Sequence, residues 1–201
     1  MAKRIAIGVI ILGAMVAVLA LYLPHTHVQR PPGTAATAVI GGPFTLSDTT
    51  GNVVTEVNLK GRYSLIFFGF THCPDICPVT LQTVTQALKA AGPAGEKVQP
   101  VFITLDPERD TPEALATYMA NFDPRFIALT GTPEQVNAIT KAFRVYATKT
   151  AIRDAEGKDT GDYSVSHSGF MYLLDRDGKY LGLLPGSSTA DEIVAYLKNL
   201  T

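Results

Sequence analysis

From residue 40 to the end of the chain, continuous apolar runs alternate with segments whose apolar residues recur at helical spacing. Short apolar runs bounded by turn residues predict buried strands, and apolar residues three or four apart predict helices. We predict strands at residues 43–48, 53–57, 63–70, 98–105, 126–129, 145–148, 169–175 and 179–184. We predict helices at residues 78–91, 111–122, 132–144 and 190–200.

Strands that alternate with helices predict an α/β protein with a central mixed β-sheet and helices on both of its sides. Turn residues at 49–52 join the first two strands into an N-terminal β-hairpin. The dipeptide Asp177-Gly178 joins the last two strands into a second hairpin. Residues 153–163 are polar and contain two glycines, so we expect an exposed excursion there.

The first 39 residues follow a different pattern. Residues 5–23 carry no charge, follow Lys3 and Arg4, and end at Pro24. As a helix this segment spans roughly 28 Å, which is close to the hydrocarbon thickness of a bilayer. We therefore predict a membrane anchor at 1–24, a flexible tether at 25–39 and a folded domain at 40–201. The alternative is a cleaved secretory signal, whose apolar region is shorter and ends in a small-x-small pattern that residues 20–24 do not offer.

The distribution of charged residues predicts on which side of the membrane the folded domain lies and argues against a nucleic acid partner. Basic residues ahead of the apolar segment keep the N-terminus on the cytoplasmic or matrix side, which places the folded domain in the periplasm or the intermembrane space. The protein would then be a single-pass protein of the inner membrane. The chain as a whole has 17 basic and 18 acidic residues, so it offers no basic surface and we expect no nucleic acid partner.

The two cysteines of the chain, Cys73 and Cys77, lie where the apolar run 65–70 meets the start of a predicted helix. A disulfide closing so short a loop would stabilise a fold only weakly, so a purely structural role is not favoured. The N-terminus of a helix lowers the pKa of a nearby thiol, which serves both redox exchange and metal binding. Thioredoxin-type catalysts use Cys-x-x-Cys, and the extra residue here favours a metal without excluding exchange.

Three stretches together resemble the Sco/SenC family: residues 68–78 (FGFTHCPDICP), 105–112 (LDPERDTP) and 165–168 (VSHS). The resemblance covers residues 40–201 and implies a thioredoxin-like fold and a role in assembling the copper centre of cytochrome c oxidase. It implies that Cys73, Cys77 and His167 are copper ligands. We expect one copper ion per chain and delivery to the dinuclear copper site of cytochrome c oxidase subunit II. Further partners would be another periplasmic copper carrier or a thioredoxin-like reductase.

The chemistry of this donor set agrees with copper. Two thiolates and an imidazole suit Cu(I) and can also hold Cu(II) with a weak further ligand, whereas a structural zinc site uses four protein ligands. His167 is expected in a serine-rich loop just before the strand that starts at 169. We expect no ligation by His72 or Asp75, and we expect 106–110 to form a turn that could support the site from behind.

Two other functions use the same residues. In a thiol-disulfide oxidoreductase, Cys73 would attack, Cys77 would resolve and His167 would assist as acid or base, reducing the cysteines of the oxidase copper site. The redox pair Cys73 and Cys77 would then be catalytic, and otherwise the protein is not an enzyme. A peroxiredoxin-type peroxidase is not favoured, because residues 69–73 lack the Thr-x-x-Cys motif of that family.

Overall fold

The computed structural model describes residues 39–200. Their strands are β1 (Thr45–Asp48), β2 (Val53–Thr55), β3 (Tyr63–Gly69), β4 (Val98–Thr104), β5 (Ile127–Thr130), β6 (Ala147–Arg153), β7 (Asp159–His167), β8 (Phe170–Leu174) and β9 (Tyr180–Pro185). Their α-helices are α1 (Ile76–Ala90), α2 (Pro93–Glu96), α3 (Pro112–Met119), α4 (Pro133–Phe143) and α5 (Ala190–Lys198). A 3₁₀ turn follows β2 at Glu56–Leu59.

The main sheet is mixed, as predicted, and within the described residues it has seven strands in the order β2-β1-β5-β4-β3-β8-β9. Strands β3, β4 and β5 run parallel, while β8 pairs antiparallel with β3. The predicted hairpins β1–β2 and β8–β9 are both confirmed as antiparallel pairs. Strand β3 is therefore an interior strand with a neighbour on each side, and every residue of it after Tyr63 is buried.

Helices cover both faces of the sheet. Successive side chains of a strand point to opposite faces, so Phe67 and Phe68 pack on opposite sides of the sheet. Phe67 packs against Phe102, whose ring in turn contacts Tyr118 of α3. On the other face, Phe68 contacts Phe143 of α4 with ring centroids 5.5 Å apart. The predicted layered architecture is confirmed.

Threonine caps start three of the helices, and the Thr-Pro-Glu sequences at Thr111 and Thr132 predict two of them. The side chains of Thr111, Thr132 and Thr189 each accept a hydrogen bond from a backbone N–H in the first turn. Such a bond satisfies one of the donors that a helix start leaves without a partner. The first helix differs from its prediction, since α1 begins at Ile76 rather than at 78 and so includes Cys77.

The expectation that residues 153–163 form an exposed excursion is confirmed, but the sequence did not predict its strands. The segment is exposed, but together with its flanks it forms an antiparallel ribbon of β6 and β7, separate from the main sheet. Every residue of β6 is exposed, and Val165 is the buried residue of β7. Because the ribbon has hardly any buried face, its sequence lacks the apolar alternation that signals a strand.

The N-terminal predictions cannot be placed on this fold. The anchor at 1–24 and the tether up to residue 38 lie outside the described residues. Within residues 39–200, none of the helices combines the length and apolar character needed to cross a bilayer.

Candidate metal centre

The two cysteines lie at the junction of β3 and α1. Cys73 is half-buried in the loop that leaves β3, and Cys77 is fully buried in the first turn of the helix. Both are free thiols. The backbone N–H of Cys77 donates to Cys73 Sγ over 3.4 Å, so a donor at the helix start faces the outer sulfur. This arrangement stabilises negative charge on Cys73.

The two thiols have opposite acidities. A hydrogen bond from the Cys77 side chain holds the pKa of Cys73 well below its ordinary value despite partial burial. The same bond to Cys73, together with burial, raises the pKa of Cys77. Cys73, which is also the more exposed of the two, is therefore the more acidic thiol.

His167 meets the cysteines from the end of the ribbon. Its Nε2 lies 3.7 Å from Cys77 Sγ, and its Nδ1 lies 3.0 Å from the carbonyl oxygen of Ser168. When Nδ1–H donates to that carbonyl, the Nε2 lone pair faces the sulfur, which is the tautomer of a metal-binding histidine. His167 is the last residue of β7, so the expectation that it lies in a loop was wrong.

The structure thus brings together the three residues that the sequence nominated as ligands. Their donor atoms do not yet surround one metal position. Across residues 39–200, no group of three His, Cys, Asp or Glu side chains is arranged to hold a metal ion. Cys73 and His167 are half-buried, whereas Cys77 is buried. Two thiolates and one imidazole match the soft donors that Cu(I) prefers.

Asp110 supports the cysteine loop from inside the protein. Its carboxylate is fully buried and accepts hydrogen bonds from Thr71 N at 3.0 Å, Thr71 Oγ1 at 2.6 Å and Thr104 Oγ1 at 2.6 Å. The bonds to Thr71 attach the Cys73 loop to the end of β4. The sequence placed Asp110 in a supporting turn but could not identify Thr71 as the residue it holds.

Gly69 is a site residue that sequence reasoning missed. A Cβ at this position would lie 2.9 Å from Cys77 Sγ and 2.9 Å from Phe102 Cε2. The absence of a side chain is what lets the inner sulfur pack against β3. The available signal was a glycine within an otherwise bulky apolar strand, a pattern that indicates close approach by another group.

The neighbouring polar residues do not join the sulfur cluster. The side chain of His72 is 53% exposed, and its Nδ1 lies 3.0 Å from Thr71 Oγ1. Asp75 is exposed and precedes α1 without a side-chain capping bond.

A mixed sheet flanked by helices, with a cysteine pair at the central strand-to-helix junction and a histidine against one sulfur, defines a thioredoxin-like thiol protein. The chain belongs to the SCO1/SenC family, whose model matches residues 32–201.

Relatives and solved structures agree with this assignment. A SCO2-like protein of Rickettsia prowazekii is 41% identical over 160 residues, which are 80% of this chain and 76% of that protein. The structure of Bradyrhizobium japonicum ScoI with copper bound has a TM-score of 0.72 and 42% identity, covering 81% of this chain and 99% of that one. BsSco, described as a member of the Sco family of cytochrome c oxidase assembly proteins, has a TM-score of 0.58 and 27% identity, covering 81% of this chain and 93% of that one.

Proposed function

We propose that this protein is a copper chaperone that binds one copper ion through Cys73, Cys77 and His167 and delivers it to the dinuclear copper site of cytochrome c oxidase subunit II. The observation that carries the proposal is the meeting of three soft donors at the mouth of a strand-to-helix junction. The copper held by ScoI and the oxidase-assembly role of the Sco family point to the same cargo and target.

The charges of the site suit a singly charged soft ion. Two thiolates and Cu(I) leave a formal charge of about −1, which the first turn of α1 partly offsets. Cys73 is available as a thiolate because of its lowered pKa, while binding displaces the proton held by Cys77. A closed zinc site is not favoured, since the chain has no third cysteine.

Release requires a ligand that can leave first. Cys73 is half-buried whereas Cys77 is buried, so an incoming thiolate of the target can reach copper on the Cys73 side. Exchange of one thiolate for another leaves copper as Cu(I) and needs no electron donor. We further propose that residues 5–23 anchor the protein in the inner membrane, with the copper domain in the periplasm or the intermembrane space.

The test is an anaerobic Cu(I) titration of the full chain in detergent, with both thiols reduced and a chromophoric chelator as competitor. We expect one tight equivalent in the wild type and an affinity lower by about tenfold or more in His167→Ala, because one of three ligands is lost. Tight binding that does not change in His167→Ala would reject the three-ligand site.

A second function is supported by the unequal acidities of the two thiols. The Cys73 thiolate would attack a disulfide of the target, forming a mixed disulfide and releasing one target thiolate. Cys77, after losing its proton, would attack Cys73 Sγ, closing a Cys73–Cys77 disulfide and releasing the second target thiol. Two electrons thereby pass from this protein to the target, and a thioredoxin-like reductase would restore the pair.

His167→Ala also separates these two functions. Disulfide exchange requires the sulfurs and not a third ligand, so we expect the variant to reduce a model disulfide at near wild-type rate while its copper affinity falls. Equal loss of both activities would show that His167 serves the thiols rather than the metal.

A further inference from the structure

The ribbon that carries His167 touches the rest of the protein with one face. Alternate residues of a strand share a face, so Tyr163, Val165 and His167 all point the same way on β7. Lys149 lies directly opposite Val165 in the register and shares that face. The outward face and the tip are exposed, and Val165 is the buried residue of the ribbon. Few apolar contacts therefore hold the ribbon in place.

A cluster of polar side chains holds the ribbon at Tyr163, four residues before His167. The Tyr163 hydroxyl donates to the buried carboxylate of Asp106 over 2.7 Å. The guanidinium of Arg109 lies 3.8 Å from the centroid of the Tyr163 ring and donates through Nη1 to the Tyr163 carbonyl over 3.0 Å. Arg109 Nε in turn donates to Asp106. We call Asp106, Arg109 and Tyr163 the ribbon clamp.

Lys149 reinforces the clamp from the other strand. Its Nζ lies 2.7 Å from Glu108 Oε2 and 4.5 Å from the centroid of the Tyr163 ring. Two cations this close to the ring favour a single position for Tyr163. Each surface contact of this kind is weak alone, but the buried carboxylate makes the Asp106 bond charge-assisted.

The adjacent Ser168 exchanges two hydrogen bonds with Tyr146 at the base of the ribbon. His167 itself has one hydrogen bond, one sulfur contact and two ring contacts. Its Nδ1 bond is to the adjacent Ser168, which moves with the same segment, and its link to the sulfur is a 3.7 Å contact. The rings of Phe67 and Phe70 lie 6.3 Å and 6.0 Å away, edge-on. The placement of its imidazole therefore depends on where the ribbon sits.

We propose that Tyr163, held by Asp106 and Arg109, is a positioning residue that sets His167 against the two cysteines. The inference rests on the proposed copper function. A strand rises about 3.3 Å per residue, so the clamp acts from roughly 13 Å along β7 and touches neither sulfur nor metal. When the clamp is lost, the ribbon shifts and the imidazole no longer adds its share to the copper affinity.

A double-mutant cycle tests this coupling on the full chain in detergent with reduced thiols. Cu(I) affinities are measured by chelator competition for wild type, Tyr163→Ala, His167→Ala and the double variant. We expect Tyr163→Ala to weaken binding about tenfold in the wild-type background, as loss of an outer support of a metal ligand does. In the His167→Ala background the same change should cost less than about twofold, because the residue it positions is absent.

Matched variants exclude general damage. Tyr146→Ala removes another tyrosine, 61% exposed, beside the start of β6, and should leave affinity unchanged. Tyr163→Phe keeps the stacked ring and removes only the hydroxyl, so it tests the bond to Asp106 with the packing of the ring preserved. We expect a smaller loss than in Tyr163→Ala, again only when His167 is present. X-ray absorption of the Cu(I) complex should show a weaker nitrogen contribution in Tyr163→Ala.

The outcomes distinguish this inference from the proposed function. Wild-type affinity in both Tyr163 variants would overturn the positioning role while leaving the copper site standing if His167→Ala still weakens binding. An equal loss from Tyr163→Ala in both backgrounds would also overturn it, since the effect would not pass through His167. A wild type that binds no copper would overturn both the inference and the proposed function.

Discussion

Replacing Gly69 by alanine tests how closely the inner sulfur is packed against the sheet. The new Cβ would lie 2.9 Å from Cys77 Sγ, whereas ordinary van der Waals contacts in proteins start near 3.4 Å. The separation of the two atoms must therefore grow by about 0.5 Å, the difference between these two distances. Phe102 closes the other direction of escape, because its Cε2 would also lie 2.9 Å from the added carbon.

Two magnitudes follow from this overlap. Adding a methyl group to a packed core costs about 1–3 kcal/mol of the free energy of unfolding. Ligand distances in a metal site stay within about 0.2 Å of their preferred values, so a sulfur displaced by a few tenths of an ångström should bind copper at least about tenfold more weakly. Both losses should appear together, since one displacement causes them.

The assays are urea unfolding of the reduced fragment 34–201 and Cu(I) competition on the full chain. Gly169→Ala is the control, because a Cβ there meets no atom within 4 Å. That variant should match the wild type in both assays or gain slightly in stability. If Gly69→Ala kept wild-type stability and copper affinity, the reasoning that this glycine makes room for the sulfur would be refuted.

Three further predictions concern the support of the fold. Asp110→Ala should lower the free energy of unfolding by at least about 2 kcal/mol, because the donors of Thr71 lose their buried acceptor, and Asp110→Asn should lose less in the same urea titration. The side chain of Arg125 holds the pKa of Asp123 below its ordinary value. The pair therefore adds to the free energy of unfolding at a pH above the ordinary pKa, and this contribution is lost as the pH falls through the lowered pKa. The stability gap between wild type and Arg125→Gln should accordingly shrink in acid; a gap independent of pH would contradict the assignment. Thr132→Ala should cost about 1 kcal/mol in thermal or urea unfolding through loss of the α4 cap.

Local sequence signals predicted most elements because each signal acts within a few residues. The apolar run before the cysteines gave a buried central strand, since both of its faces are covered. The Thr-Pro-Glu starts predicted α3 and α4, because a cap bonds only to its own first turn. Beyond the predicted strand at 145–148, the ribbon escaped prediction, since its strands pair with each other and have hardly any buried face.

By itself, the sequence determined the order of strands and helices and the placement of two thiols at a strand-to-helix junction, because periodicity and capping are local. Tertiary structure decided which distant groups complete the site. His167 meets Cys77 across 90 residues, and Tyr163 meets Asp106 across 57. Such contacts depend on how the ribbon docks on the sheet and on the space that Gly69 leaves for a sulfur, and no local pattern encodes either one.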